Sequence, residues 1–325
     1  MTDFGVVLIG RNEGERLLRC LESVLKLTNR VAYADSASSD GSVELARSMG
    51  VTVVELDASK PLNAARGRNA GFEALLDAHP DCRFVQFLDG DCRLVESWPA
   101  AAIDFLQAHE KVAVVCGRRF EAYPDASFYN RLADEEWNTP VGRADACGGD
   151  AMMRVEAVRE VGGYDGDLMA CEEAEMTARM RERGWQIWRI DADMSEHDAA
   201  IFQFGQWWRR TQRSGFGYAQ SYRRTQALSK PVYGANLKSL FVWMVAIPLA
   251  IIAFAVLLGR PTILLALPLV YVLQVFRIAR RRPSLTAYGL RASAMTMIAK
   301  VPELIGALQY FLKPRPRHAI EYKGN

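Results

Sequence analysis

Two carboxylates separated by one glycine form the clearest chemical signal in the sequence. Asp89, Gly90 and Asp91 follow residues 84–88, an apolar run that indicates a buried strand. Carboxylates at i and i+2 in a turn can give oxygen ligands to Mg²⁺ or Mn²⁺, and such a cation can bridge to a diphosphate. The alternative is an ordinary solvated turn, because Asp-Gly is a common turn dipeptide.

Polar residues also follow the first two apolar runs of the chain. Asn12 and Glu13 come after the first run, and Asp35 and Asp40 come after the second. A carboxylate at either position can accept a hydrogen bond from a ribose hydroxyl or a base. Local structure offers alternatives, since Asp40 can cap the following helix and Glu13 can favour a helix N-terminus through the helix dipole.

Two arginines, Arg66 and Arg68, lie near the start of a helix predicted over residues 64–78. Either guanidinium can bind a phosphate group or the carbonyl groups of a base. The alternative for both residues is a solvated position on the helix face.

Glycines and acids are concentrated in the middle of the chain. Gly149 belongs to a glycine pair that permits close approach of the backbone to a ligand, and Asp150 follows it directly. Glu172 and Glu173 open a helix predicted over residues 172–183, where a carboxylate can take a proton from a hydroxyl group. The alternative is an acidic first turn that the helix dipole stabilises.

A histidine and an aromatic, basic run come next. His197 is one of four histidines, and it can be a metal ligand or an exposed polar residue in an acidic loop. Trp207 and Arg210 belong to a Trp-Trp-Arg-Arg run that can bind a sugar face and a phosphate. The same run also fits a membrane-interface belt, because an apolar segment begins some 30 residues later.

Strands and helices that alternate along the chain must position these residues. The predicted strands cover residues 6–9, 31–34, 51–56, 84–88, 112–116 and 186–190, and the predicted helices cover residues 13–27, 42–49, 64–78, 98–109, 155–161 and 172–183. This alternation predicts an α/β fold with a mostly parallel sheet. Ligands of such sheets bind at the carboxyl ends of the strands, where most of the candidate residues fall.

The C-terminal third has a membrane-like pattern. Residues 240–258 carry no charge and residues 262–279 form a second apolar run, and each is close to the roughly 20 residues that span a bilayer. Basic residues flank the hairpin, which predicts that both of its ends are cytoplasmic. Residues 288–312 contain charges and indicate an interfacial amphipathic helix, followed by the basic Lys313, Arg315 and Arg317. A soluble helical bundle is the alternative.

Bulk composition excludes several classes of protein. A net charge of +2 gives no reason to expect nucleic-acid binding. The six cysteines are irregularly spaced without a Cys-x-x-Cys pair, which argues against a zinc site or a disulfide framework and indicates a reducing compartment. The start of the chain lacks the pattern of a signal peptide, so we expect a cytoplasmic catalytic part. None of these patterns determines the oligomeric state.

Taken in order, the motifs of residues 5–220 resemble the family 2 glycosyltransferases of GT-A fold in their membrane-anchored bacterial form. The match rests on Asn12-Glu13, Asp35 to Gly41, Arg66 to Gly71, Asp89-Gly90-Asp91 and the glycine-rich segment from Gly148 to Asp165, followed by Cys171-Glu172-Glu173 where the family usually has Gly-Glu-Asp. The resemblance implies a catalytic domain over residues 1–222 and a membrane-anchoring region over residues 223–325.

The resemblance also implies an inverting transfer from a nucleotide-sugar, by default a UDP-sugar, to a lipid-linked or cell-envelope glycan acceptor. Glu173 matches the catalytic base, Asp91 with Asp89 and His197 would hold Mg²⁺ or Mn²⁺, and Asp35 and Glu13 would hold the nucleoside. Asp150 would contact the donor sugar or the acceptor. The implied location is the bacterial cytoplasmic membrane, with membrane lipid as a partner.

Two departures from the family pattern narrow this expectation. Glu173 replaces the usual aspartate, and Arg210 stands where processive members have tryptophan, which favours addition of a single sugar. Two other functions stay open: a sugar nucleotidyltransferase, against which the short glycine-poor segment after the first strand argues, and a catalytically inactive membrane scaffold of a polysaccharide assembly complex.

Overall fold

A computed structural model describes residues 3–312 of the protein. The strands are β1 (Phe4–Gly10), β2 (Val31–Asp35), β3 (Thr52–Glu55), β4 (Phe84–Asp89), β5 (Cys92–Leu94), β6 (Val112–Glu121), β7 (Gly142–Ala144), β8 (Ala151–Arg154) and β9 (Gln186–His197). The helices that alternate with these strands and follow them are α1 (Glu15–Leu25), α2 (Ser42–Ser48), α3 (Ala64–Ala78), α4 (Trp98–Ala108), α5 (Phe128–Trp137), α6 (Val155–Glu160), α7 (Glu172–Glu182) and α8 (Phe204–Thr225). After them come α9 (Gly234–Phe241), α10 (Ile247–Leu257), α11 (Ala266–Ala279), α12 (Ala287–Ile298) and α13 (Lys300–Leu312).

The described strands form one sheet in the order β3-β2-β1-β4-β8-β6-β9-β5, with β7 paired to β9. β1 to β4 pair in parallel, β8 runs antiparallel to both β4 and β6, and β9 is parallel to β6. The sheet is therefore mostly parallel in strand direction, as the alternating pattern predicts. The carboxyl ends of β1, β2 and β4 lie along one edge, which brings the segments after them together.

Apolar runs form the parallel strands because both faces of this part of the sheet are buried. Val6, Val7 and Leu8 of β1 are fully buried between the flanking helices. α3 packs so closely on β1 that a Cβ added at Gly71 would lie 2.6 Å from Val7 Cγ1. This tight packing fixes the start of α3 relative to the strand ends.

The predicted elements of the first 120 residues are all present, and α3 has the predicted bounds. Two strands are longer than predicted, because β6 continues to Glu121 and β9 to His197. β5, β7, β8, α5 and α8 have no counterpart in the prediction. The three strands are only three or four residues long, which is too short for a periodic pattern, and they pair with strands distant in sequence.

Two helices of the described chain, Gly234–Leu257 and Pro261–Ala279, are long and apolar enough to cross a membrane. Only 11% and 6% of their apolar windows are buried inside the structure, which does not fit the soluble bundle. Tyr271 donates a hydrogen bond to the carbonyl of Trp243, so the two helices contact each other as a hairpin.

Residues 288–312 differ from the single interfacial helix that the sequence predicts. They form two helices, α12 and α13, and α13 packs against α8 of the catalytic domain. Gly215 and Gly306 permit this contact, because a Cβ at either residue would collide with the backbone of the opposite helix. The predicted domain boundary at residue 222 falls within α8, and the basic residues Lys313, Arg315 and Arg317 lie outside the described residues.

Candidate active site

A cavity of about 980 Å³ opens at the carboxyl edge of the sheet. The segments after β1 and β4 form one wall, and the start of α7 forms another. Its lining contains most of the residues that the sequence singles out: Asn12, Glu13, Arg68, Asp89, Asp91, Gly149, Glu172, Glu173, His197 and Arg210. The predicted site is therefore one continuous space rather than several separate motifs.

Arg68 joins the two halves of the cavity. Its buried guanidinium donates to Asp89 Oδ1 at 2.9 Å on the β4 side. On the α7 side it bonds Glu172 and lies 3.3 Å from Glu173 Oε1. Gly149 makes room for these contacts, because a Cβ there would lie on the Arg68 guanidinium. Arg68 is thus bound to acidic side chains, while its predicted contact with a phosphate or a base carbonyl stays a prediction.

Glu173 is a largely buried carboxyl whose surroundings disfavour its charged form. Burial, and then the like charge of Glu172, raise the pKa of Glu173 from its ordinary value to about 7, against the opposing effect of Arg68. Its side chain keeps 16% exposure, so it faces the cavity. Cys171 precedes the helix in a left-handed conformation with φ of 62°, which favours the glycine that the family usually has there.

Asp91 and His197 meet through the sheet. β5 pairs with β9 so that Cys92 lies opposite His197, and the Asp91 carboxylate comes within 3.4 Å of His197 Nε2. Nδ1 of His197 lies 3.9 Å from the buried carboxylate of Glu121. The Trp137 ring stands edge-on to the imidazole at 4.6 Å between centroids. His197 is therefore buried and fixed by contacts with its neighbours, unlike the exposed residue of the alternative interpretation.

The donor atoms at this place suit a hard divalent cation. The potential ligand atoms of Asp91, Cys92 and His197 all lie within 4.8 Å of one another. The Cys92 thiol is a soft ligand, which Mg²⁺ and Mn²⁺ do not favour. A carboxylate oxygen and an imidazole nitrogen are left, and a diphosphate can supply further oxygen ligands.

Asp89 and Asp150 form a cluster with two arginines beside the Asp91–His197 pair. The Asp89 carboxylate lies between Arg68 and Arg119, whose Nη2 is 3.6 Å from Asp89 Oδ2. Asp150 is buried, accepts hydrogen bonds from the Asp89 amide at 3.1 Å and from Ser195 Oγ at 2.6 Å, and does not line the cavity. In this arrangement Asp150 positions the Asp89 backbone and lies behind the substrate space.

On the predicted nucleoside side, the polar residues are organised by their own loop. Asp35 is buried and accepts hydrogen bonds from Tyr33 Oη at 2.9 Å and from Ser38 Oγ at 2.6 Å. Asn12 accepts from the Ser39 amide at 2.8 Å, and this bond holds the loop against the segment after β1. Glu13 forms an ion pair with Arg16 at 2.9 Å on the cavity wall.

Besides Asp150, four predicted contact residues do not line the cavity: Asp35, Asp40, Arg66 and Trp207. The Asp35 carboxylate is buried within the loop contacts described above. Asp40 accepts hydrogen bonds from the Ser42 amide and hydroxyl at the start of α2, as the capping alternative predicts. Arg66, in the first turn of α3, donates to the Pro61 carbonyl just before the helix. Trp207 is buried in a separate apolar cluster with Ile201.

Sequence reasoning missed Arg119 and Trp137, which both line the cavity. The Arg119 guanidinium lies 4.8 Å from the centre of the Trp137 ring, so the two residues form one wall. Arg119 is in the part of β6 beyond the predicted strand, and Trp137 ends a helix that was not predicted. A prediction that extended β6 to its actual end would have placed Arg119 near the end of a strand, where the other candidate residues lie.

Comparison with known proteins agrees with this geometry. Residues 6–162 match the model of the family described as "Glycosyl transferase family 2". The chain carries a family 2 glycosyltransferase domain. A curated relative, the succinoglycan biosynthesis protein ExoA of Rhizobium meliloti, is 25% identical over 279 residues, which cover 78% of this chain and 83% of the relative. The glycosyltransferase therefore resembles a polysaccharide biosynthesis protein over most of its length.

Solved structures with low sequence identity show the same fold. The mannosyltransferase PcManGT of Pyrobaculum calidifontis, solved with GDP-Man and Mn²⁺, has a TM-score of 0.65 at 17% identity and covers 94% of this chain and 87% of its own. S. aureus TarS 1-349 has a TM-score of 0.50 at 13% identity, with 96% and 92% coverage. The family 2 domain of this chain thus has the GT-A fold.

Proposed function

We propose that this glycosyltransferase moves one sugar from a nucleotide-sugar to a membrane-borne acceptor, with inversion at the anomeric carbon and with the help of a divalent cation. The observation that carries the proposal is that Glu173, with its raised pKa, and the Asp91–His197 pair line one cavity. A base and a diphosphate-binding centre in one space are the two parts that direct displacement needs.

In the proposed reaction Glu173 accepts the proton of an acceptor hydroxyl. The hydroxyl oxygen attacks the anomeric carbon from the face opposite the nucleotide, and the bond to the diphosphate oxygen breaks. A pKa of about 7 lets Glu173 ionise near neutral pH while keeping it basic enough to take the proton. Arg68 keeps the carboxylate oriented through its contact at 3.3 Å.

Asp91 and His197 are the residues proposed to hold Mg²⁺ or Mn²⁺. The bound cation would offset negative charge on the departing diphosphate. Arg119 and Asp89 form an ion pair at 3.6 Å and line the same cavity as these ligands. PcManGT, which shares this fold, was solved with Mn²⁺ and a GDP-sugar, so both GDP- and UDP-sugars are candidates.

The proposed acceptor is confined to the membrane that holds the helical hairpin. Two helices that are long enough to span a membrane come after α8 in the chain. The relative ExoA is a succinoglycan biosynthesis protein. Confinement to the same membrane raises the effective concentration of the acceptor near the site. Basic flanks of the hairpin favour a cytoplasmic catalytic domain.

The test measures nucleotide release and sugar transfer from a panel of UDP- and GDP-sugars, with membrane lipid extract as acceptor. We expect turnover that requires Mg²⁺ or Mn²⁺. Asp91→Ala and Glu173→Gln should each lower it by at least about 100-fold, since each removes a group used in the transition state.

Exposed acidic residues that do not line the cavity provide the matched controls. Asp125→Ala and Glu110→Gln remove the same kinds of charge from exposed positions and should keep wild-type turnover. Full activity after chelation of divalent cations would contradict the role of the metal. Donor binding without turnover by the wild-type protein would favour an inactive scaffold instead.

A further inference from the structure

A second cavity, of about 630 Å³, lies where the catalytic domain meets the base of the first apolar helix. α5 and α8 of the catalytic domain form one side of it. α9, α12 and α13 form the other side, and α9 is the first part of the membrane-length helix Gly234–Leu257. A molecule in this cavity would therefore contact the catalytic domain and the start of the membrane helix together.

The second cavity adjoins the first one along α8. Arg210 and Ser214 line both cavities. Tyr218 lines the second cavity and stacks at 4.5 Å on Tyr233, which lines the first. The two cavities therefore lie on either side of the same α8 residues, so a molecule in the second cavity would come close to the cavity that contains Glu173.

Three basic and three acidic side chains line the second cavity, and both arginines are paired with glutamates. Arg210 bonds Glu136 at 2.8 Å, Arg282 bonds Glu135 at 2.7 Å, and Lys300 donates to a serine hydroxyl at 3.0 Å. Both arginines are bound to glutamates, so a phosphate would have to displace a carboxylate to bind a guanidinium here. A neutral ligand rich in hydroxyl groups needs no such displacement and can bond donors and acceptors of both kinds.

Other lining groups suit the same kind of ligand. Asn236 and Thr296 add uncharged hydrogen-bonding side chains from opposite helices, and the Trp207 and Tyr218 rings add aromatic surface. Burial raises the pKa of Glu303 to about 7, so this carboxyl is partly protonated near neutral pH and can donate a hydrogen bond. Hydroxyl groups and aromatic surface together are the usual partners of a carbohydrate.

We propose that the second cavity binds the sugar portion of the membrane-borne acceptor and directs its terminal hydroxyl toward Glu173. The lipid portion would continue along the helix that starts with α9. This inference rests on the proposed function, because it assumes that the chain transfers a sugar to an acceptor in the membrane. It adds a binding site that the catalytic cavity alone does not contain.

The test fills the second cavity from two sides in the full-length protein, reconstituted in vesicles of total membrane lipid from the source cells. Thr296→Trp and Asn236→Trp place a large ring in the space. We expect each to lower kcat/KM for the lipid acceptor by at least about tenfold, with donor KM and nucleotide release to water within about twofold of wild type. Ile298→Trp is the matched control, because Ile298 is exposed on the same helix and lines neither cavity.

Each other outcome has a defined meaning. Transfer by both variants at the wild-type rate would overturn the acceptor site and leave the proposed function intact. An equal loss of transfer and of nucleotide release to water would show that the cavity only supports the catalytic fold, which also overturns the inference. Absence of transfer by the wild-type protein from every donor would refute the proposed function itself.

Discussion

At the scale of single residues, the ionisation of Glu173 is the property that reaction rates report most directly. Its pKa is raised to about 7 by burial and by Glu172, and the base acts only when ionised. We therefore expect kcat/KM to rise with pH on a one-proton slope and to level off above about pH 7. A pH profile of the wild-type enzyme at saturating metal measures this midpoint.

Two neighbours of Glu173 should move that midpoint in opposite directions. Arg68→Gln removes the favourable charge and should raise the midpoint by about one pH unit or more, whereas Glu172→Gln removes a like charge and should lower it. The pair of variants separates an electrostatic role from misfolding, because a folding defect lowers the rate without shifting the midpoint in opposite senses. Identical midpoints in all three proteins would contradict Glu173 as the titrating base.

At the scale of elements, the contact between α8 and α13 decides where the C-terminal helices lie. Gly306 contacts the α8 backbone around Gln212 so closely that a Cβ would collide with it. Gly306→Leu should therefore displace α13, at a cost of about 1–3 kcal/mol for the overpacked contact. Hydrogen exchange should show faster amide exchange in residues 300–312, with the central sheet unchanged.

Leu308→Ala provides the comparison for this prediction. Leu308 is exposed on the same helix, so its truncation should leave exchange in residues 300–312 close to wild type. If both variants exchange at the wild-type rate, the close contact at Gly306 does not hold α13 on the catalytic domain.

At the scale of the whole molecule, the proposed insertion of the apolar hairpin into a membrane makes a prediction about which residues are reachable from each side. Arg260 is exposed in the turn between the two helices, and Glu22 is exposed on α1 of the catalytic domain. In intact spheroplasts an impermeant maleimide should label Arg260→Cys but should label Glu22→Cys only after permeabilisation. Peptide mapping distinguishes these sites from the native cysteines, and labelling of both variants from one side would exclude a spanning hairpin.

The parts of the fold that the sequence predicts have strong local patterns. α3 has its predicted bounds, and the apolar runs of β1, β2 and β4 are strands, because their burial on both faces requires continuous apolar sequence. The ordered motifs also indicate the family without any tertiary information, and the family match confirms it. Uninterrupted apolar length likewise predicts the two membrane-length helices.

Only the tertiary structure decides how the acidic and basic residues combine. Asp91 and His197 come together because β5 pairs with the end of β9, a pairing between segments about 100 residues apart that no local period reveals. Arg68 meets Glu172 in the same way, since residues of α3 and α7 about 100 positions apart in sequence form an ion pair at the cavity. Local sequence determines which segments form elements, whereas pairing of distant segments determines which side chains share a site.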